Sequence, residues 1–141
     1  MNSKKILVVD DNPVIVETLF TKLKSAGYEV FTAEDGGRAV SIVRQARPDL
    51  ILLDISFPPD VAHGGGVAWD GYLIMEWLRR LDEGRNIPTI VITGDEVAQH
   101  KARALAAGAV ACFQKPIDHD GLLAVIRETL SEHDQSPQPQ T

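Results

Sequence analysis

A single cysteine, Cys112, in a chain of 141 residues excludes an internal disulfide framework and points to a reducing, cytoplasmic setting. Long hydrophobic runs are missing too. The longest, Ile6-Leu7-Val8-Val9 and Leu50-Ile51-Leu52-Leu53, fall far short of the ~18 residues that a membrane helix needs. Lys4-Lys5 is followed within a few residues by Asp10-Asp11, so no signal-peptide core develops. Positive charge is scarce: 14 Lys and Arg stand against 20 Asp and Glu, a net charge of −6. Such a chain has no electrostatic footprint for nucleic acid as a whole, while leaving room for a local patch. Internal repeats are absent. What remains is 44% hydrophobic and 24% charged residues at close to the ~150-residue size of one domain, which suits a globular fold with a substantial core.

The apolar runs are short, continuous and end in acid. Ile6 to Val9 stops at Asp10-Asp11, and Leu50 to Ile55 carries Asp54 near its end. Continuous runs of this length predict parallel strands buried on both faces. Between them Asn12-Pro13 predicts a helix start, with Asn as N-cap and Pro in the first position. Ile15, Leu19 and Leu23 space its buried face, and Gly27 ends it. Tyr28 to Ala33 predicts a second strand and Asp35-Gly36-Gly37 a turn. Ala39, Val40 and Val43 mark a second helix, stopped before Pro48. Leu73, Ile74, Trp77, Leu78 and Leu81 mark a third, with Trp77 expected in the core. Thr89 to Thr93 predicts strand four, and an Ala-rich helix that Asp95 could cap ends at Gly108. Val110 to Gln114 predicts strand five, and Asp118 could cap a last helix ending near Glu132. His100, His119 and His133 read as solvated positions. The tail to Thr141, rich in Pro and Gln, is expected to be disordered.

Five strand–helix pairs in alternation predict a three-layer, doubly wound α/β fold with a five-stranded parallel sheet. Such sheets bind ligands outside the carboxyl ends of their strands. Those ends supply Asp10 and Asp11, Asp54, Thr93 followed by Gly94, and Lys115. Each type also has a plain structural use, the aspartates as helix caps and Lys115-Pro116 as a turn. Their coincidence on one edge argues for a site. Three crowded carboxylates repel one another unless a divalent cation joins them, and their hard oxygens suit Mg²⁺. A cation, a hydroxyl and a lysine are what a transferring phosphoryl group requires, and Asp54 could be the nucleophile.

Val8-Val9-Asp10-Asp11, Asp49-Leu50-Ile51-Leu52-Leu53-Asp54, Ile92-Thr93-Gly94, Ala106-Ala107-Gly108-Ala109 and Lys115-Pro116 together resemble the receiver domain of two-component response regulators, over roughly Lys4 to Glu132. The resemblance implies strand order 2-1-3-4-5, the flavodoxin-like order shared by CheY-like receivers. It implies that Asp54 is the phosphoacceptor. It also implies that Asp11, Asp54 and the Ser56 carbonyl ligate Mg²⁺ directly, with Asp10 acting through water. Thr93 and Lys115 would contact the phosphoryl group, Lys115–Pro116 would be cis, and Ser56 and Asp95 would tune dephosphorylation. The donor would be a phosphohistidine on a sensor kinase or phosphotransfer protein. The chain would act as a stand-alone signalling switch, not an enzyme, on an unidentified protein target or as a dimer through its fourth and fifth elements, without direct contact to nucleic acid or membrane.

Two departures stand out. Pro58 lies four residues after Asp54 as the family pattern has it, but Asp70-Gly71 lies sixteen after it instead of seven, an insert of about nine residues within Pro59 to Trp69. A tolerated surface loop explains it, since loop length costs little. A flap hinged at Gly64 to Gly66 and anchored by Trp69 is the sharper reading. Asp60 and His63 are too few for a second metal. The other departure is Cys112, which stands where the family usually has Tyr or Phe three residues before the lysine. That puts the usual aromatic switch in doubt and reads as an inert, buried thiol. Two other classes compete. An aspartyl-nucleophile phosphatase of haloacid-dehalogenase type would need Asp where Ser56 stands. A flavodoxin-like phosphate binder would not place Asp10-Asp11 in its first loop.

Overall fold

The structure, a computed structural model, describes residues 4–55, 71–94, 97–115 and 117–135. The expectations placed on Ser56, the Pro59–Trp69 insert, Asp95, the Pro116 peptide bond and the tail from residue 136 lie outside them.

Strands and helices alternate strictly: β1 (Lys5–Val9), α1 (Pro13–Ser25), β2 (Glu29–Ala33), α2 (Gly36–Ala46), β3 (Leu50–Asp54), α3 (Gly71–Arg80), β4 (Thr89–Thr93), α4 (Val97–Ala106), β5 (Ala109–Gln114) and α5 (His119–Gln135). The sheet is parallel throughout, in the order β2-β1-β3-β4-β5. Period-two alternation divides its side chains between two cores. Leu7, Val9, Ile51, Leu53 and Val91 pack with Ala39, Ile42 and Val43 of α2, Ile74, Met75 and Leu78 of α3, and Ala104 of α4. Ile6, Val8, Leu50, Leu52, Ile90 and Ile92 pack with Leu19 and Leu23 of α1 and with Leu122, Ile126 and Leu130 of α5. Burial on both faces explains why β1 and β3 are unbroken apolar runs. No helix among the described residues is long and apolar enough to cross a membrane.

Local chemistry sets the helix ends. The Asn12 side chain accepts from the Val14 N–H at 3.0 Å, with Pro13 in the first turn. Leu122 N–H donates to the Asp118 carbonyl at 2.9 Å, the first bond of α5. The helix α2 ends at Arg47, which takes a left-handed conformation (φ 49°) before Pro48.

Several details differ from the sequence reading. Asp35-Gly36-Gly37 is a helix start, not a turn: Asp35 Oδ1 accepts from the Arg38 N–H at 2.8 Å, and both glycines lie inside α2. An Asp followed by small residues serves either purpose, and the apolar face that follows decided for the helix. Trp77 is not a core residue: it remains 37% exposed, because Ile74, Met75 and Leu78 occupy the inward face of α3 and leave Trp77 on its flank. The strand β5 begins one residue early, at Ala109. Its register slips between Thr89 and Ile90, so Ala109 and Ala111 face consecutive residues of β4 and Val110 stands out, 49% exposed. Finally, α5 continues past Glu132 to Gln135.

Gly84 is buried in the connection from α3 to β4, where a Cβ would come within 2.5 Å of the Leu78 carbonyl oxygen and 3.2 Å of Val43 Cγ1. A backbone atom cannot step aside cheaply, so Gly84→Ala should lower stability by about 2 kcal/mol. Urea unfolding checks this, and a midpoint equal to the parent's would show that the connection yields freely.

Candidate functional site

Sheet hydrogen bonds run on past the strands and place the residues that follow them. Asp10 N–H donates to the Ala33 carbonyl at 3.1 Å, Ile55 N–H to Ile92 at 2.9 Å and Lys115 N–H to Thr93 at 2.8 Å. The carboxyl ends of β1, β3, β4 and β5 thus meet at one edge. Asp10, Asp54 and Thr93 are buried there (1%, 2% and 0% exposed), while Asp11 and Gly94 are exposed.

The side chains converge as the strand-end argument requires. Asp10, Asp11 and Asp54 each present a carboxylate oxygen, all within 4.8 Å of one another. Lys115 Nζ donates to Asp54 Oδ2 at 2.9 Å and stands 3.4 Å from Asp10 Oδ2. Asp10 is held by its own loop: its Oδ1 accepts from the Asn12 N–H at 2.9 Å. That contact was missed in the sequence, although the Asn12-Pro13 cap that bends the chain back was visible. The other oxygen, Asp10 Oδ2, is buried without a hydrogen bond.

Electrostatics follow from this crowding. Burial pushes the Asp10 carboxyl up from 3.8 to about 6; the Asn12 N–H opposes the rise, the Asp54 charge adds to it and Lys115 opposes it. Burial on its own would lower the Lys115 ammonium, but the hydrogen bond and charge of Asp54, with Asp10 behind them, raise it above its usual 10.5. Lys115 is therefore a fixed cation. Cys112 is half-buried against the α2–α3–α4 core, whereas Phe113 packs toward the α1–α5 core. Burial raises the Cys112 thiol above 9.0 despite Lys101, so it stays protonated. His119 is half-buried rather than solvated. With Ile15, Thr18, Leu19, Ile117 and Lys115 it lines a mainly apolar cavity of about 440 Å³.

Three carboxylates with hard oxygens, among them Asp10 with a buried oxygen that accepts no hydrogen bond, form a donor set suited to Mg²⁺. The cation would offset the desolvation that burial imposes on Asp10 and the repulsion from Asp54.

Comparison with known proteins agrees with this geometry. Residues 6–127 match the model of the response regulator receiver domain. The chain is 33% identical to the DNA-binding dual master transcriptional regulator RpaA of Synechocystis over 95% of its length, but spans only about half (52%) of that protein. It is 32% identical to protein PilH of Pseudomonas aeruginosa, covering 90% of this chain and 98% of PilH. Among solved structures, the receiver domain of the sensor histidine kinase PA1611 from P. aeruginosa PAO1, with a magnesium ion coordinated in its active-site cleft, matches with a TM-score of 0.77 and 28% identity over 92% of this chain and 99% of that one. Receiver domains are signalling modules of two-component systems that interact with histidine kinases or phosphotransfer partners, and this chain belongs to the response regulator receiver family.

Proposed function

We propose that the chain accepts a phosphoryl group on Asp54 from a phosphohistidine of a sensor kinase or phosphotransfer protein, and signals through a protein partner. The observation that carries this reading is the seating of Asp54: a buried carboxylate hydrogen-bonded to Lys115 at 2.9 Å inside a cluster of three acids. Asp11 and Asp54 would hold Mg²⁺ directly and Asp10 through water. When bound, the cation supplies positive charge that lets the carboxylates and the incoming phosphoryl group coexist.

An Asp54 carboxylate oxygen attacks phosphorus. An O–P bond forms as the P–N bond breaks, the electron pair stays on the imidazole nitrogen, and that ring keeps or gains a proton from solvent. Lys115 moves its hydrogen bonds from the carboxylate to the new phosphoryl oxygens, and Thr93 donates its hydroxyl to another. The apolar cavity beside Lys115 gives the donor protein a surface to rest on while its imidazole reaches Asp54. Ser56, two residues after the acceptor, supplies no general acid, which favours a lasting aspartyl phosphate over phosphatase turnover.

The test is incubation with acetyl phosphate and Mg²⁺ followed by intact mass. One phosphoryl group should add to the parent and none to Asp54→Ala. An equal adduct on the variant would defeat the assignment, and rapid multiple turnover of small phosphate esters would favour the phosphatase reading.

A further inference from the structure

Where α3 and α4 end, the surface carries positive charge that the chain as a whole lacks. Arg79, Arg80 and Arg103 line one groove of about 490 Å³ together with Glu76 and Ala107. Among the described residues, three guanidinium groups and one carboxylate line it, in a chain of net charge −6. Glu76 pairs with Arg80 at 2.8 Å, but both side chains are mostly exposed (56% and 73%), and such pairs exchange at little cost.

Arg79 is held differently. Its Nη1 donates to the Ala107 carbonyl just past the end of α4. Its guanidinium lies against Gly108, where a Cβ would come within 2.9 Å of Nη1. Gly108 also has φ +109°, so glycine serves both the turn and the approach. The guanidinium is thereby fixed on the groove wall, and little side-chain freedom is lost when a ligand arrives. Basic residues in a last turn ordinarily answer the helix dipole. That accounts for Arg79 and Arg80 in the last turn of α3 and for Arg103 in that of α4, and the meeting of the two helix ends gathers all three on a single concavity.

We propose that this groove docks an acidic segment of a partner protein through arginine–carboxylate pairs. Planar guanidinium forks match carboxylates in two-point contacts. A long polyanion such as nucleic acid would gain only these few contacts and meet repulsion from the rest of a negative chain. The groove lies at the C-terminal ends of α3 and α4, hence at the sheet edge opposite Asp54, and docking there leaves the carboxylate pocket open. The inference is independent of phosphorylation.

Fluorescence anisotropy with a labelled oligo-glutamate peptide at ~0.1 M salt tests it. The parent should bind saturably, and the paired change Arg80→Gln with Arg103→Gln should weaken binding by at least about tenfold. Arg103→Lys, which keeps charge but loses the fork, should weaken it less than Arg103→Gln. A single-stranded oligonucleotide of equal charge should bind more weakly than the peptide. Adduct formation with acetyl phosphate should be the same in the paired variant as in the parent, showing an intact fold. No saturable peptide binding to the parent, equal binding by the paired variant, or tighter binding of the oligonucleotide would each overturn the proposal.

Discussion

Lys115→Met should destabilise the metal-free chain by about 2–3 kcal/mol at neutral pH. The reason lies in what is left behind. Asp54 loses its 2.9 Å hydrogen bond and Asp10 loses the cation at 3.4 Å, while both carboxylates stay buried. The remaining exposure of Lys115, 21% of its side chain, keeps the loss below that of a fully enclosed pair. Mg²⁺ should restore part of the stability by supplying the missing charge. It should not restore adduct formation, which is expected to fall at least about a hundredfold because the donor proposed to hold the transferring phosphoryl group is gone. Urea unfolding with and without Mg²⁺ measures the first effect, and the time course of the intact-mass shift measures the second. A variant as stable as the parent in the absence of metal would mean that the carboxylates are better solvated than their burial indicates.

Asp10→Asn should act in the opposite direction on stability. The native carboxyl titrates at about 6 against an ordinary 3.8, so between these values the folded chain holds a proton that the unfolded chain has released. Stability of the metal-free parent therefore falls as pH rises through this window, and the cost at neutral pH is at most ~3 kcal/mol. Asparagine carries no charge to desolvate and still offers an oxygen to the Asn12 N–H. The variant should be more stable than the metal-free parent at neutral pH by about 1–2 kcal/mol, lack the decline between pH 4 and 6, and lose most Mg²⁺ affinity. Thermal unfolding across pH, with and without Mg²⁺, reads all three. An unchanged pH slope in the Asp10→Asn variant would remove Asp10 as its source. On this account the pocket costs the fold stability, and a bound cation would offset the desolvation and repulsion that its carboxylates carry.

The positions of these groups were visible in the sequence for a physical reason. Apolar runs buried on both faces can be read without knowing their neighbours, and in an open parallel sheet their carboxyl ends must share an edge. Asp10, Asp11, Asp54, Thr93 and Lys115 follow from those two facts, and the structure brings them together. Features decided by competition between elements were not legible. Trp77 has the spacing of a core residue, but only the packing of α3 shows that Ile74, Met75 and Leu78 take the inward face. Asp35-Gly36-Gly37 fits a turn and a helix cap equally well until the following face is buried. The slip that exposes Val110 depends on the register of β4 against β5, which no local pattern encodes. The fixing of Arg79 by Ala107 and Gly108 joins residues distant in the chain, and it emerged only with the fold.

The proposed function turns on one group, the Asp54 carboxylate. Reductive trapping of the acyl phosphate after treatment with acetyl phosphate and Mg²⁺, followed by peptide mapping, tests that assignment most directly. The account predicts modification at Asp54 alone, abolished when Mg²⁺ is chelated. Modification at Asp10 or Asp11 instead, or at Asp54 to the same extent without the cation, would contradict it.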